Sequence, residues 1–400
     1  MPRPLPSSAP TSPGAILQLI RTGQAVTRNE LIEATGLGRS TIIQRVNLLL
    51  ESGLLVERST HARSNGGRPP TPLAINESAG IVLAADLGAR HGRLAICNLA
   101  GASLTEVEDR LDIATGPEPV LAWVTATFER LLADTDRSAS HVLAIGLGVP
   151  GPVDHDAGRP VNPPIMPGWD GYPVADVLSA HFSAPALLDN DVNIMALGEH
   201  HAQLPDVDQV VFIKVATGIG AGVIVDGHVV RGNHGAAGDI GHIRSYTQSD
   251  VLCTCGNRGC VGALASGSAI ARKLGEEGLD ARTSVDIVEL VQRGDTIATH
   301  HVREAGRILG EALASLVSIL APNALIIGGE MAGAEEPLLA GIRSAVYERS
   351  RPLATRELQI VTSRLGERAG IIGAATMAAN HALSPARVDE LIAVRTGASR

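Results

Sequence analysis

The pattern of apolar and polar residues predicts three short helices near the N-terminus. Residues 14–22 form an amphipathic stretch, and a second helix begins at Thr27. Glu30 completes a capping box there, because a threonine and a glutamate three residues later satisfy two free backbone N–H groups. A third helix follows a glycine-rich turn, and we expect Ser40 to cap it. Its apolar residues at 42, 46 and 49 have the spacing that places one helix face in a core.

A strand at 54–56, a loop rich in glycine and arginine, and a strand at 73–75 follow the third helix. This order is typical of a winged helix-turn-helix over residues 14–76, in which the third helix enters the major groove of DNA. Glutamine pairs well with adenine and arginine with guanine. The alternative is a helical dimerisation module with incidental arginines. The candidate DNA-binding residues on the third helix and the wing are Arg39, Ser40, Thr41, Gln44, Arg45, Arg63 and Arg68.

Beyond residue 76 the pattern changes to buried strands that run into glycines or carboxylates and alternate with helices. Such strands are expected at 81–88, 141–149, 186–189, 210–215 and 324–327. This alternation predicts an α/β body with two lobes and a cleft at the strand ends. The expected divisions are a disordered tail at 1–13, a first lobe at 77–190 plus about 368–385, a second lobe at 191–367, and a C-terminal tail at 386–400.

Three of the four cysteines fall within eight residues, and a histidine precedes them. Three thiolates and one imidazole can fill a closed tetrahedral zinc site, which leaves no open position for catalysis. We therefore predict structural zinc bound by His242, Cys253, Cys255 and Cys260. The alternatives are a redox pair or unrelated buried thiols. Cys97 lies within a predicted strand and is expected to be an inert core residue.

Composition and charge narrow the class of protein. No apolar run approaches the roughly 20 residues that a membrane span needs, and the first thirteen residues lack the apolar segment of a signal peptide. The few cysteines favour a reducing compartment, so we expect a cytoplasmic protein with no membrane partner. Residues 1–76 carry +4, whereas the rest of the chain carries −13. A basic head on an acidic body places nucleic-acid contact in the head.

Taken together, these motifs resemble the ROK family (repressor, open reading frame, kinase) over roughly residues 14–385. The resemblance rests on Gly-Val-Pro-Gly-Pro-Val at 148–153, the pair Asn190-Asp191, the segment 235–242 and the CxCGxxGC zinc loop. It implies an actin-like ATPase fold for the body, and the winged head resembles the repressor branch. The implied protein is a repressor of carbohydrate uptake or metabolism genes that binds a double-stranded DNA operator. We expect a homodimer or a dimer of dimers, because one head reads only a few base pairs and paired half-sites supply specificity.

The resemblance also implies roles for individual residues. Asp191 is similar in position to the catalytic base of the kinases, and Asn190 to a neighbouring ligand of sugar hydroxyls. His242 corresponds to a residue that binds zinc through one ring nitrogen and sugar through the other, and Asp239 stands where a glutamate is usual. The implied effector site for a sugar or sugar phosphate is therefore Asn190, Asp191, Asp239 and His242.

The chain also departs from the pattern of the kinases. In the first phosphate loop, Ala89 and Arg90 replace a glycine and a threonine, and Gly262 replaces a glutamate near the zinc loop. Ile165 stands where the kinases often have asparagine. We therefore expect Asp191 to be a vestigial base and the protein not to be an enzyme. The alternatives are a bifunctional sugar kinase that also binds DNA, and an architectural DNA-binding protein whose pocket has decayed.

Overall fold

The computed structural model describes residues 11–58, 71–247 and 249–395. The head consists of α1 Pro13–Arg21, α2 Arg28–Thr35, α3 Arg39–Glu51, β1 Leu55–Glu57 and β2 Leu73–Ile75. Thr27 and Glu30 form the predicted capping box of α2. The prediction that Ser40 caps α3 is wrong: the extended backbone of Gly38 already occupies the cap position, so the helix begins two residues earlier than expected.

The first lobe is built on a five-stranded sheet. Its order is β5-β4-β3-β6-β9, in which β3 pairs antiparallel with β4 and parallel with β6. Its elements are β3 Ile81–Leu87, β4 His91–Cys97, β5 Ser103–Arg110, α4 Pro117–Asp134, β6 Val142–Val149, β7 Val153–Asp154, β8 Arg159–Pro160, α5 Val174–Phe182 and β9 Ala186–Asn190.

The second lobe repeats this plan with the sheet order β12-β11-β10-β13-β14, in which β10 pairs antiparallel with β11 and parallel with β13. Its elements are α6 Asp191–Gln203, β10 Gln209–Val215, β11 Ile219–Val225, β12 His228–Val229, α7 Val261–Ala265, α8 Gly267–Glu276, α9 Ser284–Gln292, α10 Thr296–Leu320, β13 Ala324–Gly328, α11 Glu336–Arg349, α12 Pro352–Thr355 and β14 Gln359–Thr362. The predicted two-lobed α/β body is confirmed.

Within the described ranges, no helix is both long and apolar enough to cross a membrane.

The two lobes meet where α6 crosses α13 Ala369–Ala382, a helix that packs on β3 and β6 of the first lobe. A Cβ atom on Gly373 would lie 1.7 Å from the carbonyl oxygen of Ile194, and one on Gly198 would lie 2.1 Å from that of Ala369. No side chain fits between the helices at these points. The two helix backbones therefore approach each other directly where the lobes meet.

Most of the tail expected at 386–400 is a helix, and residues 396–400 lie outside the described residues. Residues Pro385–Arg395 form α14, which packs against α1 of the head. Val388 and Ile392 lie four residues apart on one face and are buried there. The Arg395 guanidinium donates a hydrogen bond of 2.6 Å to the carbonyl oxygen of Ser52, directly after α3. The apolar stripe of α14 is short and its partner is distant in sequence, so the pattern alone did not reveal the helix.

Candidate functional site

The outer side of α3 carries five of the candidate DNA-binding residues, which we call the α3 face. Arg39, Ser40 and Gln44 are exposed, while Thr41 and Arg45 are half-buried. The centre of the opposite, apolar stripe is fully buried at Ile42, Val46 and Leu49, as predicted. Ile43 and Leu50, which the apolar pattern also assigns to this stripe, are 39% exposed and half-buried, respectively. The Arg45 Nε atom is buried without a hydrogen-bond partner among the described residues. The α3 face thus presents polar side chains outward from a packed helix.

The wing is described only at its base. Strands β1 and β2 pair antiparallel, and Arg63 and Arg68 of the predicted loop lie outside the described residues. The Arg28 guanidinium at the start of α2 is 2.7 Å from the Glu57 carboxylate at the end of β1. This ion pair links the helix-turn-helix to the base of the wing.

The four predicted metal ligands come together. One ligand atom from each of His242, Cys253, Cys255 and Cys260 lies within 4.8 Å of the other three. The Cys253 Sγ is 3.4 Å from the His242 Nδ1, and the Cys255 Sγ is 3.7 Å from the Cys260 Sγ. Ligands at the corners of a tetrahedron around zinc lie about 3.5 Å apart, given the usual bond lengths. The donor set and its spacing therefore fit a zinc ion.

The two ring nitrogens of His242 face different groups. While Nδ1 faces the thiols, Nε2 lies 4.0 Å from the carboxylate of Asp239, an exposed residue. The backbone N–H of Asn257 lowers the pKa of the Cys255 thiol to about 7, whereas burial raises that of Cys260 to about 12. The imidazole therefore links the thiol cluster to the surface beside Asp239.

Charged groups from both lobes meet in the cleft. Asp86 at the end of β3, Asp191 at the start of α6 and Lys214 in β10 form what we call the cleft cluster. The Lys214 Nζ donates a 2.5 Å hydrogen bond to the Asp191 Oδ2. Burial raises the pKa of Asp86 to about 6, although the charge of Lys214 opposes this shift. Burial lowers the pKa of Lys214, but the carboxylates of Asp191, Asp86 and Glu330 outweigh it and raise the pKa above its usual value.

The side chain of Asn190 is engaged in the local fold. Its Oδ1 accepts a hydrogen bond from the N–H of Val192 and caps α6, while its Nδ2 donates to the carbonyl oxygen of Gly151 at 2.7 Å. The neighbouring Asp189 is buried and accepts a 2.7 Å hydrogen bond from the Arg231 Nε. These contacts fix the backbone that presents Asp191.

The two glycine turns at the strand ends differ. In the first turn, a Cβ atom on Gly88 would lie 2.1 Å from Cε1 of His91, so the imidazole ring covers this glycine. In the second turn, a Cβ atom on Gly218 would meet nothing within 4 Å. The backbone of the second turn is therefore open to an approaching group, while the first turn is shielded.

The predicted effector residues lie in two groups around the start of β11. Gly220 packs against Val192, next to Asp191, and the N–H of Ala221 donates a 2.8 Å hydrogen bond to the carbonyl oxygen of Gly238. The first group is Asn190 and Asp191 with the rest of the cleft cluster. The second group, Asp239 and His242, lies beside the thiols.

Three residues in and around the cleft were not predicted from the sequence pattern: Lys214, His91 and Arg231. Lys214 carried a signal, because it is a charged residue within an apolar strand, Val-Val-Phe-Ile-Lys-Val at 210–215. His91 and Arg231 act on residues that the local pattern does not connect to them, and nothing in the sequence around them pointed to the cleft.

Comparison with known proteins settles the family, because the ROK family model matches residues 82–381. The chain belongs to the ROK family. A xylose repressor of Caldicellulosiruptor bescii is 28% identical over 383 residues, which cover 92% of this chain and 95% of that protein. The chain is thus similar to a ROK regulator along nearly its whole length.

Solved ROK structures show the same body. A ROK family transcriptional regulator, described as a homologue of the Escherichia coli MLC protein, has 26% identity and a TM-score of 0.81 over 95% of this chain and 98% of its own. A ROK hexokinase from Thermus thermophilus has 31% identity and a TM-score of 0.62 over 74% of this chain and 97% of its own. An alignment over 95% of this chain must include most of the head. An alignment over 74% of the chain can be made by the body alone.

Proposed function

We propose that this ROK protein is a DNA-binding transcriptional repressor of carbohydrate uptake or metabolism genes whose operator affinity is set by a sugar or sugar phosphate in its cleft. The observation that carries the proposal is the winged helix-turn-helix with its exposed α3 face, joined to a body of the ROK fold. The names of the xylose repressor and of the ROK regulator, whose matches span more than 90% of this chain, support it.

In the proposed complex, α3 lies in the major groove. Gln44 and Arg45 would contact base edges, and Arg39, Ser40 and Thr41 would contact the flanking phosphates. Arg63 and Arg68 of the wing would bind phosphates or the minor groove. One head reads only a few base pairs, so we propose that a homodimer or a dimer of dimers reads paired half-sites.

The proposed effector site is Asn190, Asp191, Asp239 and His242. Carboxylates, amides and imidazoles suit sugar hydroxyls, which both donate and accept hydrogen bonds. The site borders both lobes, so a bound sugar can favour one lobe arrangement over another. Only such differential affinity shifts a conformational equilibrium. Coupling of about 1–3 kcal/mol, or roughly 5- to 150-fold in DNA affinity, is typical of allosteric proteins.

The proposed metal is one structural zinc ion per chain, held by His242, Cys253, Cys255 and Cys260. Zinc would fix the orientation of the His242 ring, leaving its Nε2 for a sugar hydroxyl. Four protein ligands leave no position for a substrate, so the ion would stabilise the loop and shape the pocket.

A second candidate function is phosphorylation of a sugar, which the intact Asp191 and the open second glycine turn favour. Two contacts oppose it. Lys214 already holds the carboxylate that would accept the proton, and His91 covers the first glycine turn where phosphate would approach. We therefore propose that the protein is not an enzyme.

The proposal is tested by selecting bound fragments from random duplex DNA and titrating the selected duplex by fluorescence anisotropy with a panel of sugars and sugar phosphates. We expect one of these compounds to change the affinity for DNA, with no transfer of phosphate from ATP in a coupled assay. Asp191→Asn should bind the duplex as wild type does yet respond less to the effector. Equal responses of the two proteins would contradict the assigned site, and selection of no sequence would contradict the function.

A further inference from the structure

Lysine is rare in this chain, which has 33 lysines and arginines but only two lysines, Lys214 and Lys273. Lys214 lies in β10 of the second lobe, and its side chain is 24% exposed to solvent. It faces Asp191 across 2.5 Å, and the Asp191 side chain is only 9% exposed. A positive charge is therefore held against the one carboxylate that kinase chemistry would require to be free.

The ammonium group faces carboxylates from three elements. Besides Asp191 at the start of α6, the charges of Asp86 at the end of β3 and of Glu330 beyond β13 act on it. Asp86 in turn is buried, its carboxylate close to the backbone of Gly370 in α13. The ammonium group of Lys214 thus interacts electrostatically with carboxylates of both lobes at once.

Sites that transfer phosphate from nucleotides hold a divalent cation between carboxylates, and the cation carries the phosphates. Magnesium and manganese are bound through such oxygen ligands. In this cleft an ammonium group that belongs to the chain is already paired with Asp191. An incoming cation would be repelled by the ammonium group and would have to separate it from Asp191.

We propose that Lys214 is the built-in cation of the cleft: its ammonium group occupies the electrostatic position of a divalent metal ion, so the cleft admits a ligand that brings neither a metal ion nor a phosphate. Because it rests on the proposed sensing of a sugar, the inference narrows the effector to an uncharged sugar. Among the described residues no hydrogen bond engages the Asp191 Oδ1, so it can accept from a hydroxyl, whereas a phosphate there would meet the carboxylates of Asp191, Asp86 and Glu330 with one ammonium group to offset them.

The test measures manganese binding to the full-length, zinc-loaded protein by electron paramagnetic resonance of free Mn²⁺, with and without ATP. Wild type is compared with Lys214→Gln, which removes the charge, and with Lys214→Arg, which keeps it. Lys273→Gln is the matched control, because Lys273 lies in α8 and donates to the carbonyl oxygen of Leu264, away from the cleft cluster.

We expect Lys214→Gln to gain one manganese site with an affinity about tenfold or more above wild type, and Lys214→Arg and Lys273→Gln to resemble wild type. Should Lys214→Gln fail to fold, the double variant Lys214→Gln/Asp86→Asn removes one carboxylate with the lysine and is expected to gain a weaker site. No gain in the folded variant overturns the proposal. Saturable binding of Mn²⁺, manganese–ATP or inorganic phosphate in the cleft of wild type also overturns it.

These measurements use neither DNA nor sugar. If the protein repressed transcription without responding to a sugar, the manganese result would still hold. If wild type bound manganese in the cleft, the proposal that the head binds DNA and represses would still hold. The two failures are therefore distinguishable.

Discussion

The α3 face and the cleft cluster are two polar surfaces of opposite character. On α3, Arg39 and Gln44 are exposed and have no partner among the described residues. In the cleft, Asp191 is nearly buried and already paired with Lys214. DNA can therefore supply partners to side chains that lack them, whereas a ligand in the cleft must share a carboxylate that the fold has already paired. The difference suits an α3 face that binds DNA directly and a cleft whose ligand acts on contacts that the fold already makes.

The largest effect is expected from loss of the zinc ion, which should affect the sugar response and not DNA binding by the α3 face. Structural zinc contributes about 10–16 kcal/mol to the folding of small zinc-finger peptides, so Cys255→Ser should remove the metal and destabilise the surrounding loop by several kcal/mol. The sugar response should be lost, while the α3 face still binds DNA. Elemental analysis, thermal unfolding and DNA titration measure this, with Cys97→Ala as a control for an unrelated buried thiol. Native protein free of zinc would contradict the assignment.

A substitution on the α3 face should have the opposite effect. Gln44→Ala is expected to cost on the order of 1–3 kcal/mol of binding at the selected duplex, with an unchanged ratio of affinities with and without sugar. Gln359→Ala, at an exposed position of β14, is the control. If Gln44→Ala bound as well as the control, α3 would not be the reading helix.

The pH dependence of stability tests the buried charge of the cleft. The pKa of Asp86 is raised from 3.8 to about 6 in the folded state, so its contribution to stability is full below about pH 4 and is lost as the pH rises through about 6. Lys214, Asp191, His91 and Arg93 are the charged groups that act on it. Asp86→Asn cannot ionise.

We therefore expect Asp86→Asn to be more stable than wild type at pH 8 by on the order of 3 kcal/mol, and the gain to vanish near pH 4. Denaturant unfolding across pH measures this, and Asp109→Asn, at an exposed site in β5, should show no such trend. A gain at pH 4 that is as large as the gain at pH 8 would contradict the assigned shift.

The smallest expected effect concerns the link between the two surfaces. The Arg395 guanidinium donates to the carbonyl oxygen of Ser52 in the head and to that of Ala79 in the body. Arg395→Ala should lower stability by about 1 kcal/mol and reduce the effect of sugar on DNA affinity, leaving affinity without sugar nearly unchanged. Arg356→Ala, an exposed arginine after α12, is the control. An intact sugar response would show that the signal reaches the head by another route.

What could be predicted from the sequence was local. The capping box of α2 and the zinc cluster each depend on residues within about twenty positions of one another, and the apolar stripe of α3 has a period that is visible by itself. The pairing of Lys214 with Asp191 depends on how α6 packs against β10, and the helix α14 depends on a partner at the other end of the chain. Ser40 was misplaced because the preceding glycine, Gly38, takes the cap conformation without a side chain.

The contact between α1 and α14 also has a consequence for the synthesis of the protein. The N–H of Gly14 donates to the Asp389 carboxylate at 2.8 Å, and a Cβ atom on Gly14 would lie 2.1 Å from the carbonyl oxygen of Pro385. A ribosome that has made only the first 384 residues has therefore made a head whose first helix still exposes the apolar face that α14 covers. The head precedes the body in the sequence, but its packing is completed only when α14 has been made. A nascent chain therefore cannot present a complete head before the body that controls it has been made.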